Sequence, residues 1–272
     1  MFSVIPLGTV SPFCSNTCNC PGYLLEYENN KILLDCGNGI TRLLKIPEDL
    51  NKLTIIISHL HKDHYGDLLS LGYASFIAHN LGYIHDKVKV YIPYGDKIEI
   101  DGDYDEEVDW YAPKTIVKDI IDYEYLTKFT DECYLEFIPY RENDILNIDN
   151  LKISFKRNPH QITTYNTKLE VDNLKVVYSS DTGYINNTLV ESSKNADLLI
   201  CESTFLKGQS RQGNNHLYAY EAGLIAKEAN VDKLLLTHFY PAIDKELYVK
   251  EAKEKFVDVE AAIEGKKLIL RR

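Results

Sequence analysis

No apolar run in this chain of 272 residues approaches the roughly 18 residues that a membrane-spanning helix needs. The opening stretch, MFSVIPLGTV, has neither a basic n-region nor a long apolar h-region, so it reads as a first strand rather than an export signal. The cytoplasm is then the default expectation for its compartment. Low-complexity segments and short internal repeats are missing too, which argues against solenoid arrays and compositionally biased tails.

Positive charge is scarce. Lys and Arg number 30 against 41 Asp and Glu, a formal net charge of −11. A surface that holds long nucleic acid needs clustered Lys and Arg to neutralise phosphates, so such a partner is disfavoured. A small anionic substrate stays compatible, because a bound metal inverts the field locally. Paired C-x-x-C units of a structural zinc site are also absent, although Cys14, Cys18 and Cys20 crowd into PFCSNTCNCPGY. Cys36, Cys133 and Cys201 are scattered. Without an export signal, all are expected to stay reduced, and metal binding by the cluster is the minor reading.

An apolar content of 44% with 26% charged residues fits an ordinary globular protein with a substantial core, expected here as a single domain over 1–272. FSVIPL, GYLLEYE and KILLDCG are β-rich and bounded by turn residues. NKLTIIISH is a continuous apolar strand, the kind covered on both faces of a sheet. From Asp67 the period changes: Leu68, Leu69, Leu71, Phe76, Ile77 and Leu81 fall at helical spacing. KVKVYIP is the next strand. Residues 101–132 are acidic and Tyr-rich and read as a solvated excursion or a lid. LKISFKR, TKLEVDN, LKVVYSSD and ADLLICE then read as strands, HLYAYEAGLIAKEAN as a helix, KLLLTHF as a strand, KELYVKEAKEKF as a helix and KKLIL as a last strand. Strand-rich halves with interspersed helices predict a layered α/β fold with helices outside two sheets.

Chemistry concentrates in TIIISHLHKDHYGD, where three histidines and an aspartate fall within six residues: His59, His61, Asp63 and His64. Residues two apart on an extended backbone point the same way, so His59 and His61 can bind one ion together. The chain then turns, letting Asp63 and His64 face a neighbouring position. Imidazole and carboxylate suit Zn²⁺, and also Mn²⁺ or Fe. These ligands are too many for one open site and too few for two. His160 after LKISFKRNP, Asp181 after LKVVYSS and His238 after KLLLT supply more. Taken singly, each would be a satisfied core His or a capping Asp. Ligand-type residues at the end of one apolar strand after another make coincidence a poor account.

The string HLHKDH resembles the H-x-H-x-D-H signature of the metallo-β-lactamase superfamily, and NPHQITTY, YSSDTGY and LLLTHF follow in that superfamily's order. The resemblance covers nearly the whole chain. It implies a four-layer αβ/βα sandwich with a dinuclear site, in which His59, His61 and His160 hold one metal, Asp63, His64 and His238 the other, and Asp181 bridges both. Asp35, in ILLDCGNG, looks like the strand-end aspartate that supports the ligand loops without binding metal. Two divalent ions roughly 3.5–4 Å apart activate a bridging water and steady both oxygens of a displacement. That is hydrolytic machinery for an ester, thioester, amide or phosphodiester.

The segment CESTFLKGQSRQGNNHLYAYEAG is similar to the ribonuclease Z-like branch, with Cys201 where that branch has a His. Release of an alkoxide from a phosphodiester is helped by a positioned acid. His216 takes that role, oriented by Glu202, and with Asp63 these form the expected catalytic set. His216 is also expected to open a helix, where the helix terminus disfavours a charged imidazole and lowers its pKa. Lys207 and Arg211 lie in the intervening loop and are candidate contacts for an anionic group. The tRNA-gripping arm of true ribonuclease Z enzymes is missing, since His160 and Asp181 are separated only by two plain strands and a turn. The resemblance therefore implies an arm-less hydrolase, first a phosphodiesterase for a small or single-stranded substrate. Carboxylic ester, lactone or thioester hydrolysis is the alternative; tRNA 3′ processing and a non-catalytic binding scaffold rank lower. Relatives of this type often pair as homodimers.

Overall fold

A computed structural model describes residues 2–94, 133–185, 187–211 and 213–271. The stretch read as a lid, 101–132, lies outside them. Among the described residues, the chain forms two seven-stranded mixed sheets. In the first, β1 (Phe2–Gly8), β2 (Gly22–Tyr27) and β3 (Asn30–Leu34) form an antiparallel meander. β4 (Leu53–Ile56), β5 (Val88–Pro93) and β6 (Leu135–Tyr140) continue it in parallel. The second sheet repeats the plan. β7 (Ile145–Ile148), β8 (Leu151–Arg157), β9 (Tyr165–Val171) and β10 (Leu174–Tyr178) are antiparallel. β11 (Leu198–Glu202), β12 (Leu234–Thr237) and β13 (Val259–Ala261) are parallel. β14 (Leu268–Leu270) returns to pair with β1.

Parallel neighbours need crossovers, and helices supply those that follow β4, β10, β11 and β12. After β4 come a single turn, α1 (Lys62–Tyr65), and then α2 (Leu68–Asn80). In the second half, α3 (Thr188–Ser193), α4 (Ala219–Glu228) and α5 (Lys245–Ala252) follow β10, β11 and β12. Among the described residues, no helix is long and apolar enough to cross a membrane.

Side-chain alternation sorts the apolar residues into three layers. Phe2, Val4, Ile32, Leu34 and Ile56 of the first sheet meet Phe155, Tyr165, Tyr178, Leu198 and Ile200 of the second. Leu33, Ile55 and Val90 point the other way, onto Leu68, Leu71 and Ala78 of α2. Val177, Leu199 and Leu236 pack against Leu189, Ile225 and Val249 of the remaining helices. The result is the expected αβ/βα sandwich. A one-residue slip in β3 would exchange its central and outer layers, so burial on both faces fixes the register.

The apolar spacing over α2 needs correction. Ile77 and Leu81 are 40% and 66% exposed, and the buried face is Leu68, Leu71, Gly72, Ser75 and Ala78. Small residues face inward there because the helix runs close to the chain entering β6: a Cβ on Gly72 would stand 2.7 Å from Cys133 Cβ and 2.9 Å from Leu135 Cδ1.

Candidate metal centre

The site gathers where the parallel strands end, the usual place for ligands in α/β sheets. Asp35 follows β3, His59 and His61 follow β4, Asp181 follows β10, Glu202 ends β11 and His238 follows β12. Three strand exits turn through the left-handed region without glycine: Asp35, Ser180 and His238 have φ of 59°, 52° and 62°. Such conformations cost of order 1–3 kcal/mol each and persist where the surroundings over-determine them.

Asp35 shows how. Oδ1 accepts the Ser58 N–H at 2.7 Å, ending the β4 ladder. Oδ2 accepts from Ser58 Oγ at 2.9 Å, His64 Nδ1 at 2.7 Å and Tyr178 Oη at 2.6 Å. This buried carboxylate binds the histidine loop of one sheet to a tyrosine of the other. Ser180 Oγ donates to Ser58 Oγ at 2.6 Å, and Tyr140 Oη donates to the Ile57 carbonyl at 2.8 Å.

The same contacts orient the imidazoles. His59 Nδ1 meets Ser58 Oγ at 3.1 Å, His64 Nδ1 meets Asp35, His160 Nδ1 meets the Asn215 carbonyl at 2.9 Å, and His238 Nδ1 meets Thr204 Oγ1 at 2.8 Å. Each bond leaves Nε2 facing inward, the arrangement that supports metal-ligating histidines. His61 turns Nδ1 toward the centre, 3.0 Å from His59 Nε2 and 3.2 Å from His160 Nε2.

Among the described residues, ligand atoms converge in three overlapping groups: His59, His61, His160 and Asp181; Asp63, His64 and His238; and Asp181, His216 and His238. Asp181 Oδ2 lies 3.5 Å from His59 Nε2 and 3.8 Å from His160 Nε2, while Oδ1 lies 3.4 Å from His64 Nε2 and 3.0 Å from His238 Nε2. Asp63 Oδ2 stands 3.6 Å from His64 Nε2. Ligand atoms 2.0–2.1 Å from a tetrahedral ion sit about 3.3 Å from one another, so the spacing fits. Three of these atoms, His64 Nε2, His238 Nε2 and Asp181 Oδ1, are buried without a hydrogen-bond partner. Buried polar atoms are rarely left so, and metal held here would account for all three.

The charge states of His59, His61 and His160 agree with that use. Burial, with neighbouring imidazoles, holds His59 well below its ordinary value, pushes His61 down to about 3 and His160 to about 4. Neutral rings are what a metal takes. Burial opposes ionisation of Asp181, but His238, His64 and His59 hold its carboxyl well below the usual range. His64 is raised, because Asp181, Asp63 and Asp35 outweigh its burial.

His216 and Glu202 also join the site. His216 Nδ1 lies 3.0 Å from Glu202 Oε1 and 3.9 Å from Asp181 Oδ2, and its ring stacks on His238. The expected helix position needs correction. α4 starts at Ala219 with Tyr218 as its cap, so His216 lies in the preceding loop. Its pKa moves opposite to the helix-end expectation: burial would lower it, but Glu202 and Asp181 raise it to about 9. Glu202 is itself held by Thr182 N–H at 2.8 Å and Thr204 Oγ1 at 2.7 Å.

Lys207 and Arg211 are engaged elsewhere. Lys207 Nζ pairs with Glu254, and Arg211 Nη1 donates to Glu221 at 2.6 Å and to the His216 carbonyl at 2.8 Å. Cys14 and Cys20 are free thiols with Sγ atoms 3.5 Å apart. Sequence reasoning missed Ser11, Ser58, Ser180 and Tyr178 as supports. Their partners lie 23 to 143 residues away, and no local pattern marks them.

The beta-lactamase superfamily domain matches residues 30–239. The probable metallo-hydrolase YhfI of Bacillus subtilis (strain 168) is 29% identical over 218 residues, covering 80% of this chain and 78% of its own. Ribonuclease Z of Saccharolobus solfataricus is 30% identical over 266 residues, covering 89% of each chain. The YhfI crystal structure superposes with a TM-score of 0.81 at 27% identity over 98% of both chains. With the two-sheet fold and the His/Asp centre already in view, the chain belongs to the beta-lactamase superfamily, as a hydrolase.

Proposed function

We propose that the chain is a dinuclear metal-dependent phosphodiesterase acting on a small or single-stranded phosphodiester. His59, His61, His160 and Asp181 would hold one divalent ion, and Asp63, His64, His238 and Asp181 the other, with zinc favoured by the donor set. Such ions supply Lewis acidity and make water nucleophilic near neutral pH.

The observation that carries the reading is the His216–Glu202 pair at 3.0 Å. An acyl hydrolase has less need of a separate acid, because its leaving group can take a proton from the attacking water. A phosphodiester with an alkoxide leaving group needs one. Without metal, Glu202 and Asp181 raise His216 to about 9, outweighing its burial. Nδ1 is committed to Glu202, so Nε2–H is the donor offered to the departing oxygen. Thr204 links this acid to the ligands, donating to Glu202 while accepting from His238.

Similarity to ribonuclease Z supports phosphodiester chemistry. Between His160 and Asp181 the chain forms only the β9–β10 hairpin, so processing of a whole tRNA is the lesser reading.

The test compares an alkyl phosphodiester, an aryl phosphodiester and an aryl carboxylic ester, using metal-loaded wild type and His216→Ala. The expected loss in kcat is about 10²- to 10⁴-fold on the alkyl diester and smaller on the aryl diester, whose leaving group needs no proton. Turnover of the carboxylic ester alone, indifferent to the substitution, would replace this reading with acyl hydrolysis.

A further inference from the structure

Two aromatic rings, carried by segments that adjoin the centre, have no part in any of the three apolar layers. Phe13 and Tyr240 are 52% and 42% exposed, with centroids 5.9 Å apart and planes at 82°. Each follows closely on a residue of the site. Ser11 Oγ donates to Asp63 Oδ2 at 2.7 Å, and Phe13 lies two positions on. Tyr240 lies two positions past His238. Two residues span at most about 7 Å, so the backbone that carries each ring is anchored next to the site.

Their backbones are tied together. Val10 and Phe239 form a parallel bridge. Ser11 N–H donates to the Phe239 carbonyl at 3.0 Å, and Phe239 N–H donates to the Thr9 carbonyl at 3.0 Å. Phe239 is fully buried beside Tyr248. The exposed rings therefore ride on a pinned base, and an edge-to-face pair leaves an open face for a third ring.

We propose that Phe13 and Tyr240 form a stacking platform for a nucleobase, which makes the substrate class a nucleotide-bearing phosphodiester. The proposal rests on the phosphodiesterase reading above. Charge points the same way. The chain carries a net −11, and the two basic residues of the 207–211 loop are occupied by Glu254 and Glu221. Selectivity for the organic part of the substrate then falls to uncharged contacts. Every base offers a π-face to an aromatic side chain, and one such stack changes affinity by about five- to a hundredfold.

Calorimetric titration of the metal-loaded protein with adenosine 5′-monophosphate and ribose 5-phosphate isolates the base, since the two share sugar and phosphate. Wild type is expected to bind the nucleotide about five- to a hundredfold more tightly. Phe13→Ala and Tyr240→Ala should bring that ratio toward one with ribose 5-phosphate affinity and metal content unchanged, and Tyr240→Phe should preserve it. A wild-type ratio near one, or a ratio that survives both alanine substitutions, would overturn the platform. Loss of the phosphodiesterase reading shows separately, as turnover of acyl esters without phosphodiesters.

Discussion

His238 Nε2 stands 3.0 Å from Asp181 Oδ1, and neither buried atom makes an aligned hydrogen bond. The other nitrogen of His238 is already committed to Thr204, so ring orientation is set from behind while its front faces the carboxylate. Asp181 faces both groups of histidines through its two oxygens, which places it to be shared between them.

Asp181→Asn should therefore deplete both groups. Metal affinity is expected to fall by more than the roughly 10- to 100-fold that follows loss of an outer partner, with hydrolysis lost in proportion. Metal content after dialysis, measured by elemental analysis, checks this; full occupancy in the variant would contradict the sharing.

Thr204→Val keeps the volume and removes the hydroxyl that His238 Nδ1 and Glu202 Oε2 use at 2.8 and 2.7 Å. Metal affinity at the Asp63–His64–His238 group should fall about 10- to 100-fold. The His59–His61–His160 group should be spared. Competition with a chromophoric chelator resolves the two.

The metal-free protein should be most stable near pH 6.5. His59, His61 and His160 have folded pKa values below 6.5, down to about 3 and 4 for the latter two. On acidification below 6.5 the unfolded chain takes up protons that the folded chain refuses, so stability falls toward pH 4. His64 and His216 have raised values, about 9 for His216. The stability they contribute is fully present below pH 6.5 and is lost as pH rises toward 9. Urea midpoints from pH 4 to 9, with chelator present, should trace a maximum; a flat profile would contradict these shifts. Added metal should favour the alkaline side, because it binds deprotonated ligands.

Gly183→Ala tests the loop that carries His216 and braces His160. A Cβ at Gly183 would lie 1.5 Å from the Asn214 carbonyl oxygen, and the neighbouring Asn215 carbonyl holds His160. The loop must move. A destabilisation of about 1–3 kcal/mol or more is expected from overpacking, together with at least a tenfold loss of activity although Gly183 touches no ligand atom. Denaturation midpoints and kcat measured on the same preparation check both.

The apolar strands before the ligands were legible because burial on both faces demands unbroken runs such as LTII and LLICE. β6, β7, β13 and α3 escaped notice. β7 and β13 are short, partly exposed pieces that exist because a neighbour's edge is there to pair with, and local pattern does not carry that information. Residue type marks His216, but local pattern does not give its setting. The apolar pattern of HLYAYEAG extends past the true cap at Tyr218, and only the fold brings Glu202 to the imidazole.

The sequence by itself determined the α/β class, the histidine and aspartate set and the strand ends that carry it, because each follows from periodicity and residue type within a few positions. Tertiary structure alone decided which imidazole nitrogen faces inward, that Asp35 holds both sheets, that Glu202 and Asp181 face His216, and that Phe13 meets Tyr240. Those depend on residues far apart in the chain meeting in a buried, low-dielectric space, where distance and orientation set hydrogen bonds and charge.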